Sequence, residues 1–423
     1  MHVTLIAAGS RGDVQPLVAL GRGLQSAGFT ARIVALETFR SLVQKEGLEF
    51  APMGGDPLRF IEETGIRSMR SGRNIVNFLR RHRRVVEAVY GRLLGNIWEA
   101  LEDTDAVAFG TLTIMAYPLA DARGIPRLAV PLQPITRSRA YPSLTVPQTW
   151  SRFGGAFNLA THHVDELLHW VAVRGAVAAG IRKVIGSDPF PRSGPYGTIY
   201  ADERFPFFYG ISPSVFRRPD DWPPWHVLTG LWFLDATEKL LPPVEAFLAD
   251  GPPPVYIGFG SLPTKDPAAT ARALIGGVRR VGKRVILLRG WGGLGLDDVA
   301  SDVLVVDEVP HARLFPRVAA IVHHGGAGTT AAALRAGRPQ VVIPHFADQP
   351  FWAEKMRRLG VAPPPIRPRH LDDERLADAL DRALSPQYRH RAAEIGERIG
   401  AEDGAGQAAA AIGRFLGHPA GGA

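Results

Sequence analysis

Apolar runs and helix-like segments alternate along both halves of the chain. In the first half, residues 16–26 predict a helix, and short apolar runs predict buried strands at residues 3–9, 32–36, 106–110 and 126–130. Such alternation is typical of parallel sheets with helical crossovers. The first half therefore predicts a doubly wound α/β domain.

The second half repeats the pattern. It predicts helices near residues 267–281, 329–336 and 350–359, and strands at residues 255–259, 284–288, 303–306, 319–323 and 340–343. After residue 371 the apolar positions keep helical spacing, and a glycine-rich tail follows. The predicted fold class is α/β, with two Rossmann-like doubly wound domains.

A stretch rich in proline and aromatic residues separates the two halves. Because proline cannot donate to a β-ladder, we interpret this stretch as a semi-rigid linker. The predicted organisation is a first domain at residues 1–205, a linker at 206–245, a second domain at 246–385, and a C-terminal helix and tail at 386–423 that are placed to pack back on the first domain.

Composition narrows the class of protein. The length of 423 residues suits two domains, and 46% hydrophobic with 21% charged residues indicates a folded chain. The absence of cysteine excludes disulfides, thiolate metal sites and cysteine nucleophiles. No apolar run approaches the roughly 20 residues that span a bilayer, and the N-terminus lacks the features of a secretory signal. We therefore expect a cytoplasmic enzyme.

The net charge is +8, and part of the excess lies in an arginine-rich stretch at residues 67–84. A bias in genome composition accounts for the overall basicity, and nothing beyond net charge favours nucleic-acid binding. The stretch has two interpretations, a solvated helix face or a peripheral contact with the anionic inner face of a membrane.

The first candidate site is a glycine loop, Gly-Ser-Arg-Gly-Asp, at residues 9–13. It follows a predicted strand, and ligands gather at the carboxyl ends of strands in an open α/β sheet. A helix follows the loop, so Asp13 fits either a helix N-cap or a chemical role.

The second candidate site is the segment at residues 321–330, which contains His-His-Gly-Gly-Ala-Gly-Thr-Thr. Small residues between a strand and a helix allow the first amides of the helix to point at a phosphate. The segment lacks the Walker lysine and the Rossmann glycine spacing. It therefore predicts a diphosphate cradle, with a tight turn without ligand as the alternative. No carboxylate at helical spacing completes a metal site around its histidines, so we expect no metal.

Two further strand ends carry polar groups. Asp348 and Gln349 follow a predicted strand and suit hydrogen bonds to sugar hydroxyls, although Asp348 also suits a helix cap. Ser261 follows Gly-Phe-Gly at the end of the first strand of the second half, where its hydroxyl is placed for the same phosphates.

In their order along the chain, the motifs at residues 9–13, 258–261, 323–330 and 348–352 resemble those of the GT-B nucleotide-sugar glycosyltransferases. Among these, the chain is most similar to the sterol 3β-glucosyltransferases, and it also resembles the glycopeptide glycosyltransferases. The resemblance implies two Rossmann-like domains that face across a cleft, an acceptor-binding one and a UDP-sugar-binding one. It also implies transfer of a hexose, usually glucose, to a hydroxyl of a hydrophobic acceptor such as a sterol or triterpenoid, with inversion and without a cofactor.

The resemblance also implies roles for individual residues. Asp13 is the implied general base. His323 and the glycine turn would hold the diphosphate, Asp348 and Gln349 the sugar, and Val309 the uracil. The full set of implied donor contacts is Gly12, Ser261, Trp291, Val309, His323, Gly325, Gly326, Ala327, Gly328, Thr329, Asp348 and Gln349. The implied acceptor contacts are Ser10, Phe78, Met115 and Tyr141.

Three other functions fit parts of the pattern. An antibiotic-tailoring transferase would use the same donor site on a glycopeptide, macrolide or polyketide hydroxyl. A UDP-sugar epimerase would bind the donor without transfer, which the acceptor-type segments at residues 136–142 and 229–235 disfavour. A non-catalytic sugar-nucleotide or lipid-binding module would not need Asp13.

Overall fold

A computed structural model describes residues 1–54, 83–234, 238–259, 266–289 and 300–417. Contacts divide the chain into two compact units. The first unit comprises residues 1–143, 150–234 and 403–423, and the second comprises residues 144–149 and 235–402. Each unit is built on a parallel sheet with its own core, which confirms the predicted α/β class.

The sheet of the first unit has seven strands in the described residues, in the order β3-β2-β1-β4-β5-β6-β7. Its strands are β1 His2–Ile6, β2 Thr30–Ala35, β3 Glu49–Pro52, β4 Ala106–Phe109, β5 Arg127–Ala129, β6 Phe207–Tyr209 and β7 His226–Leu228. The middle strand, β4, is apolar throughout because both faces of a parallel sheet are covered. The order of the strands reverses between β1 and β4, which makes this pair the topological switch point.

Helices cover this sheet. They are α1 Arg11–Ser26, α2 Arg40–Lys45, α3 Arg83–Ala100, α4 Pro118–Arg123, α5 Gly155–Ile185 and α6 Tyr196–Ala201. In the described residues, none of the protein's helices combines the length and apolar character needed to cross a bilayer.

The second unit contains a five-stranded sheet in the described residues, in the order β10-β9-β8-β11-β12. Its strands are β8 Val255–Gly258, β9 Val285–Leu288, β10 Val303–Val306, β11 Ala320–His323 and β12 Gln340–Val342. Its helices are α7 Pro242–Ala249, α8 Pro267–Arg280, α9 His311–Leu314, α10 Ala327–Arg335, α11 Gln349–Leu359, α12 Asp373–Ala383 and α13 Pro386–Gly400.

The last helix, α14 Gly404–Phe415, belongs to the first unit and packs on α1. The two helices approach closely at Gly23, where a Cβ atom would lie 2.8 Å from the carbonyl oxygen of Ala405. The chain therefore ends on the unit in which it begins.

The proline- and aromatic-rich stretch at residues 206–245 differs from the predicted linker. Strands β6 and β7 lie inside it, and the first unit extends to Leu234. The prolines precede the strands and do not interrupt them, while Phe207, Tyr209 and His226 are buried. Burial of these large aromatic rings favours the sheet, which the count of prolines alone does not reveal.

Candidate functional site

Asp13 lies in the first turn of α1, directly after the end of β1. Its Oδ2 atom accepts hydrogen bonds from the Ser10 backbone N–H at 2.8 Å and from the Ser10 hydroxyl at 2.9 Å. Ser10 is the N-cap, so Asp13 is not the cap itself but the residue that bonds back to it. In the described residues both bonds to this carboxylate end on Oδ2, which leaves Oδ1 to accept a proton.

Gly9 makes room for this carboxylate. Its φ is +122°, and a Cβ atom there would lie 2.4 Å from Oδ2 of Asp13. Gly9 is therefore required by the Asp13 side chain. A glycine four residues before a carboxylate, in the loop between a strand and a helix, is the signal in the sequence for this requirement.

A small hollow opens at the Asp13 carboxylate, at the carboxyl ends of β1, β4 and β5. The other residues that line it are small or apolar apart from one threonine: Ala7, Ala8, Leu17, Gly110, Thr111, Leu112 and Leu132. Of the described lining residues, Asp13 alone is ionisable. The hollow lies at the switch point of the sheet, where α/β folds bind ligands, and Asp13 places an ionisable group among its mostly apolar lining residues.

Burial raises the pKa of Asp13 above its ordinary value, and the two hydrogen bonds from Ser10 partly offset this rise. A carboxylate with a raised pKa is a stronger base than an exposed one. The local structure therefore favours proton acceptance at this position.

In the second unit, β11 leads into α10 through a turn that requires glycine. Gly325 has a φ of +88°, and a Cβ atom there would lie 2.8 Å from Cγ1 of Val342. Gly326 is the N-cap of α10, and a Cβ atom there would lie 2.5 Å from Nε2 of His324. These contacts fix the direction in which α10 begins.

The start of α10 presents backbone donors. Ala327, Gly328 and Thr329 form the first turn, and their amides have no partners within the helix, whereas the Thr330 amide already donates to the Gly326 carbonyl at 3.0 Å. The helix dipole adds positive potential at this end, and the turn contains no acidic residue. The arrangement suits a diphosphate.

His323 has a different place from the one predicted for it. Its side chain is fully buried, its Nε2–H donates to Oε1 of Gln340 at 2.8 Å, and its Nδ1 accepts the Gly325 amide at 3.1 Å. Burial lowers its pKa to about 3, so the ring is neutral. Because both ring nitrogens are occupied, His323 holds the turn in shape and does not donate to a phosphate.

The loop before α11 holds Asp348 and Gln349. Oε1 of Gln349 accepts the amides of His345 at 2.8 Å and Phe346 at 3.3 Å, and Oδ2 of Asp348 accepts the Trp352 indole N–H at 3.0 Å. Ala347 has a φ of +55°, the one positive value outside glycine in the described residues. Such backbone strain is typical of functional loops. Asp348 is also the N-cap residue of α11, without a side-chain cap bond.

Two domain families match the chain. Residues 3–116 match the glycosyltransferase family 28 N-terminal domain, and residues 273–410 match the erythromycin biosynthesis protein CIII-like C-terminal domain. The first match covers β1, Asp13 and the lining of the hollow except Leu132, and the second covers the β11–α10 turn. The fold of the chain is that of the GT-B glycosyltransferases.

Similar proteins include the sterol 3-beta-glucosyltransferase of Emericella nidulans, which is 34% identical over 434 residues. That alignment covers 98% of this chain and 30% of the relative, so the chain spans about a third of that relative's length. Among solved structures, the spinosyn forosaminyltransferase SpnP is similar with a TM-score of 0.68 at 18% identity, over 99% of both chains. The glycosyltransferase VinC in complex with DTDP is similar with a TM-score of 0.63 at 19% identity, over 99% of this chain and 100% of that one.

The remaining residues that the resemblance implies fall into three groups. Gly12 lies beside Asp13 in the first turn of α1, and Val309 lies half-buried just before α9. Met115 and Tyr141 are buried in the first unit. Ser261, Trp291, Phe78 and the part of the arginine-rich stretch at residues 67–82 lie outside the described residues.

Tyr141 differs from its predicted acceptor contact. Its hydroxyl lies 2.9 Å from the carbonyl oxygens of both Pro134 and Thr136, and its ring packs edge-on against Phe216 and His162. The side chain is therefore occupied by the core. In the acceptor-type segment at residues 136–142, Tyr141 therefore belongs to a tightly packed loop.

We expect Ser10→Ala to move the acidic limb of the pH profile of kcat/KM to higher pH. The Ser10 hydroxyl stabilises the Asp13 carboxylate, so its loss raises the Asp13 pKa further, and the base is then protonated at a higher pH. Ser10→Thr keeps a hydroxyl and should restore the original profile. If the acidic limb of the profile does not shift in Ser10→Ala, a group other than Asp13 controls the pH dependence of activity.

Proposed function

We propose that the protein is an inverting glycosyltransferase that moves a hexose, glucose in the first instance, from a UDP-sugar to a hydroxyl of a hydrophobic acceptor of the sterol or triterpenoid class. The observation that carries the proposal is the Asp13 carboxylate at the wall of an otherwise uncharged, mostly apolar hollow. A base among apolar side chains is what activation of a hydroxyl on a hydrophobic molecule requires.

The proposed reaction is a single displacement. Asp13 takes the proton of the acceptor hydroxyl while the acceptor oxygen bonds to the anomeric carbon. The bond from that carbon to the diphosphate oxygen breaks, and UDP leaves with the electron pair. One displacement inverts the anomeric carbon, and a positioned base contributes roughly 10²–10⁴-fold to the rate.

The leaving group needs stabilisation as its negative charge develops. The first-turn amides of α10 supply preorganised donors for this charge. The complex of the similar protein VinC with DTDP supports a nucleotide diphosphate sugar as the donor. The proposal of glucose as the sugar and of a sterol as the acceptor rests on the named activity of the Emericella nidulans relative.

The match of residues 273–410 to an erythromycin biosynthesis protein CIII-like domain favours a second acceptor class. On this alternative, the same donor chemistry would glycosylate a macrolide, polyketide or glycopeptide. Asp13 and α10 would have the same roles, and only the molecule in the hollow would differ.

The test is to incubate the protein with UDP- and TDP-sugars and with sterols, triterpenoids and polyketides, and to read product masses. We expect a hexosylated sterol or triterpenoid with UDP-glucose. Exclusive glycosylation of polyketides would support the alternative acceptor class, and donor hydrolysis or epimerisation without transfer would contradict both.

We also expect transfer to persist in excess EDTA. If the α10 amides hold the diphosphate, they stabilise its negative charge, which a divalent metal does in other transferases. Turnover with and without EDTA and magnesium measures this. Complete loss of activity that magnesium restores would show that a metal holds the leaving group.

A further inference from the structure

Helix α5 exposes a continuous apolar face. Val164, Leu167, Leu168 and Val171, here called the α5 stripe, are each between 55% and 61% exposed. Their spacing of three and four residues places them on one side of the helix. Scattered exposed apolar residues need no explanation, but adjoining ones on successive turns mark an interaction surface.

Exposed aromatic residues precede the start of α5. Phe153 and Trp150 are exposed, and both pack edge-on against Phe157. The opposite side of α5 provides the packing, through buried residues that include His162, Trp170 and Ile181. The α5 stripe is therefore not part of the core of the first unit.

The charged groups of α5 are divided between these two sides. Its acidic residues bond to the protein, since Oδ2 of Asp165 accepts the Ser143 hydroxyl at 2.6 Å and Glu166 pairs with Arg137. Arg174 follows Val171 by three residues and so borders the stripe. Arg152 lies over the Phe153 ring at 4.9 Å, and Arg182 and Lys183 are exposed in the last turn.

We propose that the α5 stripe is a docking surface for an anionic lipid bilayer. Apolar side chains with a cationic border match the acyl boundary and the anionic headgroups of such a surface, and a Trp at the edge suits the interface. Because the opposite side of α5 packs against the first unit, the helix would lie in the plane of the interface and would not cross it. A second copy on a two-fold axis would bring the cationic borders together, which disfavours self-association.

The test is co-sedimentation of the full chain with vesicles of phosphatidylcholine alone or of equal parts phosphatidylcholine and phosphatidylglycerol, at low and high salt. We expect binding to the anionic vesicles that weakens in salt. Leu167→Ser with Leu168→Ser should reduce the partition coefficient by about tenfold for each leucine, at the transfer free energy of such a side chain. The matched control is Leu241→Ser, an equally exposed leucine of the second unit, which should bind as the wild type does.

No sugar donor is present, so this result is independent of the proposed transferase activity. Circular dichroism checks that the double variant is folded, as expected for substitutions at exposed positions. Absence of vesicle binding by the wild type, or equal binding by the double variant, overturns the proposal. A wild-type dimer that the double variant converts to a monomer, without vesicle binding, also overturns it and assigns the stripe to a second copy.

Discussion

Asp13→Asn is expected to reduce transfer by roughly 10²–10⁴-fold while UDP affinity stays unchanged. Asparagine keeps the size of the side chain and an oxygen that accepts the Ser10 hydrogen bonds, so the start of α1 is preserved. It cannot take the proton of the acceptor hydroxyl. Turnover with saturating donor and UDP calorimetry on the same preparation measure the two quantities.

Asp105→Asn is the matched control for this substitution. Asp105 also accepts a backbone N–H, that of His2 at 2.7 Å, but it does not line the hollow. It should keep wild-type turnover. Wild-type turnover in Asp13→Asn would remove Asp13 from the mechanism, and an equal loss in both variants would attribute the effect to structure.

Gly325→Ala is expected to weaken UDP binding by roughly 10- to 100-fold, which corresponds to backbone strain of about 1–3 kcal/mol. The new Cβ atom would lie 2.8 Å from Val342 Cγ1 and 3.1 Å from the Gln349 carbonyl oxygen, at a φ of +88°. The turn must shift to relieve these contacts, and the first-turn amides of α10 shift with it. UDP then binds more weakly, because part of its binding free energy is used to restore the strained turn.

Gly282→Ala separates this effect from backbone strain in general. Gly282 has a φ of +66° in the same unit, and nothing lies within 4 Å of its added Cβ atom. It should lose thermal stability but bind UDP as the wild type does. Unchanged UDP affinity in folded Gly325→Ala would mean that the turn is not a diphosphate cradle.

The apolar pattern predicts much of the fold because parallel strands are buried on both faces. Strands β8 to β12 begin and end within a residue or so of the predicted bounds, and so does α8. Helix α1 begins at Arg11, five residues before its predicted start, because Ser10 caps it and Pro16 is tolerated within it. The 31-residue helix α5 was not predicted, since the exposed apolar stripe hides its amphipathic period.

The candidate site, like the fold, is predicted from the sequence only in part. Sequence order was enough to predict the Asp13 loop and the β11–α10 turn, because each follows a strand. The role of His323 could not be read in this way, because its burial and its partner Gln340 depend on the pairing of β11 with β12. The requirement for Gly9 depends likewise on where the Asp13 carboxylate points.

The anomeric configuration of the product tests the central claim most directly. With UDP-glucose, whose sugar is α-linked, direct attack by a hydroxyl that Asp13 deprotonates predicts a β-glucoside of the hydrophobic acceptor. Proton NMR of the purified product distinguishes the two anomers by the coupling of the anomeric proton. A β-glucoside formed by the wild type and absent with Asp13→Asn is the predicted result, and an α-glucoside or a product that forms equally with Asp13→Asn would contradict the account.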